Sequence, residues 1–225
     1  MRIVFVRHGH PNYEKDCLTE LGHRQAAAAA ERLRHEGVEN IYSSTCGRAF
    51  ETAQHLGDVI GLPVVGCDFM REISWGDVDG KPYENGHPWT IVDEMVARGE
   101  TLTDPNWREH PEFRNNRLLD CCDKVAADAD AWLAELGYVR EGLFYRVKPG
   151  APKVIAAFGH GIVICHALQA GVDAEDAGGL HDIHGLAFGN ALLDIEKHNF
   201  VSHLIGDKYI STCSAYIAGA NHCYF

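Results

Sequence analysis

No run in this chain approaches the roughly 18 consecutive apolar residues of a membrane-spanning helix. The eight cysteines form no CxxC pair and no zinc-type spacing, so they read as reduced, mostly buried thiols rather than as a disulfide or metal framework. Basic residues are scarce: 20 Lys and Arg stand against 32 Asp and Glu, a net charge of -12. Such a balance argues against nucleic acid and anionic membranes as partners. A small anionic substrate stays open, because a local arginine cluster can oppose the global sign. The first apolar run is too short for a signal peptide. These absences lead to the expectation of a cytoplasmic protein. There is no internal repeat, and no low-complexity tract beyond one run of alanines. At 225 residues the chain is expected to form a single domain over 1–225. Residues 81–150 would serve as a cap, polar and irregular over 81–115, and a return helix.

What is present begins with Ile3-Val4-Phe5-Val6, apolar and β-branched enough to read as a buried strand. Arg7-His8-Gly9-His10-Pro11 stops it. An arginine and a histidine are thus delivered at the carboxyl end of a strand, where open α/β sheets place their ligands.

Further along, Thr19 is a candidate N-cap for a helix over Glu20 to His35, with Gly37 as its stop. Asn40 to Ser43 reads as a strand. A turn through Thr45-Cys46-Gly47 opens a second helix carrying Ala49, Ala53, Leu56 and Ile60 on one face. Pro63-Val64-Val65 suggests an edge strand. Residues 70–80 lose periodicity; one amphipathic helix is predicted near Thr90 to Arg98, and a long one from Phe113 to Leu136. Val154 to Phe158 is the clearest buried strand, and Gly159-His160-Gly161 opens a helix to Ala170. Asn190 to Ile195 and Phe200 to Ile205 read as a hairpin. Alternating strands and helices predict a three-layer α/β/α sandwich with a mainly parallel central sheet and a cap or lid insertion.

Four segments carry the chemistry-bearing residues: Arg7 and His8; Arg48, at the start of the second helix; Glu72, in Arg71-Glu72-Ile73-Ser74-Trp75-Gly76; and His160 between its two glycines. Together they suit phosphoryl transfer without a metal or organic cofactor. That reaction needs charge neutralisation on the equatorial oxygens and in-line positioning. Arginine forks bind phosphate oxygens bidentately, so Arg7 and Arg48 are the natural clamp. A neutral histidine whose other nitrogen is held by a carbonyl can act as nucleophile. Glu72 can protonate the leaving oxygen if its surroundings raise its pKa.

The sequence resembles the histidine phosphatase, or phosphoglycerate-mutase-like, superfamily. The resemblance rests on an Arg-His-Gly after the first strand and a Ser43-Ser44…Arg48-Ala49…Thr52-Ala53 segment. A Glu four residues before a Gly and the late Gly-His-Gly complete it. It implies a phosphorylated His8, Glu72 as proton donor, and Arg7, Arg48 and His160 as the phosphate pocket. It also implies a small phosphorylated metabolite as substrate. Asn12 stands where related phosphatases often place a phosphate-touching polar residue. His10 departs from the usual Glu or Gln. Ile73-Ser74-Trp75-Gly76 replaces the Arg-His-Tyr-Gly of the mutases, which points to the phosphatase branch.

Other readings stay open at this level. A phosphoglycerate-type mutase shares the motifs. His8-Gly9-His10 could chelate a metal in a metal-dependent hydrolase, although Arg7 and Arg48 would then be unexplained. A non-catalytic module that binds a phosphorylated ligand would keep the pocket without turnover.

Overall fold

In a computed structural model, residues 2–74, 76, 97–99, 107–109, 111–141, 144–160 and 215–218 are described. Strand β1 (Arg2–Arg7) leads through the two-residue strands β2 (Pro11–Asn12) and β3 (Cys17–Leu18) into helix α1 (Glu20–Leu33). Strand β4 (Asn40–Ser44), helix α2 (Gly47–Ile60) and strand β5 (Val64–Cys67) follow. Helix α3 (Leu118–Glu135) precedes the hairpin β6 (Tyr138–Glu141) and β7 (Phe144–Val147), then β8 (Val154–Gly159) and β9 (Ala215–Ala218).

The main sheet has the order β5-β4-β8-β1-β9, parallel throughout except for the antiparallel β9. Period-two alternation sorts its side chains onto two faces. Val4, Val6, Ile41, Ala156 and Phe158 pack with Ala29, Ala30 and Leu33 of α1 and Ala53 and Leu56 of α2. Ile3, Phe5, Ile155 and Ala157 pack on the other face against Trp132 and Leu133 of α3, with Tyr138 and Tyr145 of the hairpin. Helices on both faces make the α/β/α sandwich expected from the alternation of elements.

Local chemistry explains most boundaries. The Thr19 hydroxyl accepts the Gly22 N–H and caps α1. Gly61, with φ +73°, ends α2 in the left-handed conformation. Strand β5 lies at the sheet edge, as its proline suggested. Three differences from expectation stand out. Helix α1 ends at Leu33, because Arg34 to Glu36 turn back on it before Gly37 is reached. Helix α3 starts at Leu118 rather than Phe113. The Asn116 amide oxygen takes the Leu118 N–H, which separates α3 from a short turn over Pro111–Arg114. The stretch expected to serve only as cap and return helix also contains the β6–β7 hairpin. It is tied to α3 by Arg140 Nε on Asp130 Oδ2 at 2.6 Å. Of the described cysteines, all free, Cys46 and Cys122 are buried while Cys17, Cys67 and Cys121 are part-exposed. Most of the helix expected near Thr90 to Arg98, the one after His160 and the hairpin over Asn190 to Ile205 lie outside the described residues. Among the described residues no helix is long and apolar enough to cross a membrane.

Candidate active site

Register brings the site together. Strands β1 and β8 are parallel neighbours with Arg7 opposite Gly159, so His8 and His160 leave the same sheet edge side by side. The His8 N–H donates to the Gly159 carbonyl at 3.1 Å. On the other side of β8, Ser43 pairs with Phe158, and Ser44 therefore reaches His160. Three adjacent carboxyl ends, of β4, β8 and β1, supply the floor. Both histidines are buried, His8 at 2% exposure and His160 at 0%. Their rings meet edge to face with centroids 5.2 Å apart.

The protonation pattern follows from the partners. His8 Nδ1 lies 2.8 Å from the Gly9 carbonyl oxygen, which can only accept, so Nδ1 carries the proton and Nε2 presents a lone pair. Arg48 Nε donates toward that lone pair at 3.4 Å. Arg48 Nη2 donates to His160 Nδ1 at 3.2 Å, which leaves the His160 proton on Nε2, 3.0 Å from the Ser44 hydroxyl oxygen. Burial depresses the His8 pKa from 6.5 to about 4; the charges of Arg7 and Arg48 push the same way, against the Gly9 hydrogen bond. His160 falls to about 2, through burial first and then the Arg48 charge. Both rings are neutral at pH 7.

Arg48 is 11% exposed and held on three sides. Its Nε and Nη2, one edge of the guanidinium, address His8 and His160. Its Nη1 is paired with Asp16. That edge therefore faces the gap between the rings, which is where a phosphoryl group bridging them would sit. Arg7, at the end of β1, is close enough for its charge to act on His8, His160 and Glu72. Glu72 follows the 3-10 turn Asp68–Met70, and its Oε2 lies 3.6 Å from His160 Nδ1. Crowding by protein raises the Glu72 pKa. The Ile73 N–H, Arg7 and Arg48 partly oppose that rise.

Arg7, His8, Arg48, Glu72 and His160 thus converge. Asn12 does not join them through its amide oxygen, which accepts the Lys15 N–H at 3.2 Å in the adjoining loop. The His10 ring is engaged through Nδ1 by the Thr19 hydroxyl at 2.9 Å. Among the described residues no group of three or more His, Cys, Asp or Glu is arranged to hold a metal ion. Sequence reading missed two participants, Ser44 and Asp16. Ser44 lies inside a quoted motif, but its contact with a histidine 116 positions away has no sequence signal.

Comparison with known proteins gives the family. The sequence profile of the histidine phosphatase superfamily (branch 1) matches residues 3–134. The chain belongs to that superfamily and is an enzyme of the phosphatase and mutase kind. It is similar to a probable phosphoglycerate mutase GpmB of Yersinia pestis (strain Pestoides F). The two are 28% identical over 156 residues, covering 61% of this chain and 70% of that one. Among solved structures it is similar to the native mycobacterial glucosyl-3-phosphoglycerate phosphatase (29% identity, TM-score 0.49, 75% of this chain and 78% of that one). The Entamoeba histolytica phosphoserine phosphatase is a more distant likeness (18% identity, TM-score 0.47, 75% and 78%).

Proposed function

We propose that this chain is a metal-independent phosphomonoester hydrolase that acts on a small phosphorylated metabolite through a phosphohistidine at His8. The observation that carries the reading is the His8 ring itself, neutral and locked by Gly9 so that Nε2 points its lone pair at the Arg48 edge. In the first step the Nε2 lone pair attacks phosphorus, the bond from phosphorus to the leaving oxygen breaks, and the Glu72 carboxyl gives that oxygen its proton. In the second, the Glu72 carboxylate takes a proton from water while the water oxygen displaces Nε2, releasing phosphate and a neutral His8. Arg7 and Arg48 carry the charge on the equatorial oxygens in place of a cation. Arrival of the phosphate dianion beside His160 opposes the burial and the Arg48 charge that keep this ring neutral, and favours a proton on Nδ1 shared with a phosphoryl oxygen.

The test is hydrolysis of an aryl phosphate in EDTA by the wild type and His8→Ala. The wild type should turn over and the variant should lose nearly all activity; a variant with most of its turnover intact overturns the mechanism. The similarity to a probable phosphoglycerate mutase supports a second reading, in which His8 passes the phosphoryl group to a second hydroxyl. Incubation with 3-phosphoglycerate separates the two, since a mutase yields the 2-isomer and a phosphatase yields free phosphate.

A further inference from the structure

We infer that Asp16 is the positioning residue of the site, anchoring the far nitrogen of Arg48 so that the Nε–Nη2 edge is presented to the phosphoryl group between His8 and His160. The inference rests on the proposed phosphatase reading for its kinetic consequence, but not for its geometry.

Asp16 lies in the loop between β2 and β3, 32 positions before Arg48. Two bonds join that loop to the start of α2. One Asp16 oxygen pairs with Arg48 Nη1, and the other accepts the Gly47 N–H at 2.8 Å. The residue adopts φ +47°, the left-handed region, and is the one non-glycine among the described residues to do so. Asp and Asn tolerate that conformation better than other side chains, at a cost that the surrounding contacts must meet. The approach is also close enough to demand glycine at its partner. A Cβ on Gly47 would stand 2.1 Å from the Asp16 carbonyl oxygen.

This arrangement divides the five donors of Arg48. The pair on one edge stays aimed at the two imidazoles, and the outward nitrogen is spent on Asp16. Without the anchor the guanidinium can swing toward the exposed Tyr13 ring, whose centroid already lies 5.4 Å from it. A carboxylate here takes the outward nitrogen and leaves the Nε–Nη2 edge to the substrate, while its own charge reaches His8 and His160 and partly opposes that of Arg48. Burial raises the Asp16 carboxyl somewhat, yet the Gly47 N–H and Arg48 outweigh it and hold the group below the usual carboxylate range. It stays ionised wherever the enzyme would work.

A plain helix cap is the rival role, and two variants separate it from anchoring. Asp16→Asn tolerates the left-handed backbone and keeps an oxygen for the Gly47 N–H, but it turns an amide NH2 toward Arg48. Asp16→Gly keeps the loop and removes both bonds. The measurements are melting temperature, binding of inorganic phosphate and of orthovanadate by calorimetry, and kcat and KM on an aryl phosphate. Anchoring predicts that Asp16→Asn melts within about 2 °C of wild type, since Asn and Asp cap equally well. Its kcat/KM should nevertheless fall by roughly 10- to 100-fold, the scale of a small misplacement of a catalytic group. Most of that fall should be in kcat, with vanadate weakened more than phosphate. Asp16→Gly should lose at least as much activity and melt lower. Asp16→Asn with wild-type kcat/KM and wild-type anion affinity overturns the anchor, as does a wild type that binds neither anion. If the wild type turns over no phosphate ester while Asp16→Asn still weakens phosphate binding, the hydrolase reading fails and the anchor stands.

Discussion

The Ser44 hydroxyl oxygen lies 3.0 Å from His160 Nε2 and 3.1 Å from the Cys46 backbone nitrogen, so one buried oxygen orients the ring and closes the turn into α2. Ser44 is itself fully buried, which leaves no water to replace it. Ser44→Ala should therefore strand two buried donors. The expected cost is about 1–3 kcal/mol of stability, measured by urea unfolding, because a buried donor left without an acceptor bears its desolvation penalty in full. Phosphate affinity should weaken as well, through the unanchored His160 ring. A variant as stable as wild type would mean that the hydroxyl does not satisfy these donors.

The two depressed histidines make a stability prediction whose sign is fixed. His8, near 4 in the fold, has its ordinary value near 6.5 once unfolded. Above pH 6.5 neither state binds the proton and nothing is lost. Below it the unfolded chain takes up a proton that the folded chain refuses, so stability falls with falling pH until about pH 4. His160 adds in the same direction and continues to about pH 2. Urea unfolding at pH 7, 6 and 5 should show this decline, and His8→Gln should flatten part of it. An equal slope in wild type and variant removes His8 as a cause.

Activity should titrate differently from stability. A nucleophile that stays neutral down to about pH 4 gives no acid limb between pH 7 and 5 in kcat/KM. That comparison requires correction for the substrate's own second ionisation, near pH 6. The alkaline limb belongs to Glu72, which must hold a proton to give it away and whose pKa is raised by its surroundings. Glu72→Gln should abolish that limb. It should also slow alkyl phosphates by about 100- to 10,000-fold and aryl phosphates far less, since a phenolate leaves without a proton. Equal losses on both substrates would remove Glu72 as the acid.

Much of this architecture is written locally. Ile3 to Val6 and Val154 to Phe158 announce buried strands, and Thr19 a cap. What a continuous apolar run conceals is its facing: nothing in Ile3-Val4-Phe5-Val6 tells which pair meets α1 and which meets Trp132. The site divides in the same way. His8, Arg48, Glu72 and His160 sit in short motifs with their own signals. Asp16 acts only because the β2–β3 loop reverses at φ +47° and delivers it to a helix more than 30 positions on. The β6–β7 hairpin did have a signal, two Tyr- and Val-bearing runs about Gly142, but it lay past the predicted return helix in a span assigned as a whole to the cap and that helix.

Arg48 offers a last test, in which charge is kept and shape is changed. Arg48→Lys retains one positive charge on a stem of similar reach but offers a single nitrogen, where the guanidinium addresses His8, His160 and Asp16 with three. If net charge were all the pocket needed, phosphate would bind the variant nearly as well. If the planar edge matters, the loss should be larger in the transition state, where three equatorial oxygens spread their charge toward it. The expected result is a fall in kcat/KM of about 100- to 1,000-fold, the range seen when one pre-organised donor is removed. Inorganic phosphate should weaken by no more than about tenfold, since ground-state binding draws mainly on charge. A variant with near-wild-type kcat would show that the guanidinium edge between the two histidines is not where the phosphoryl group is held.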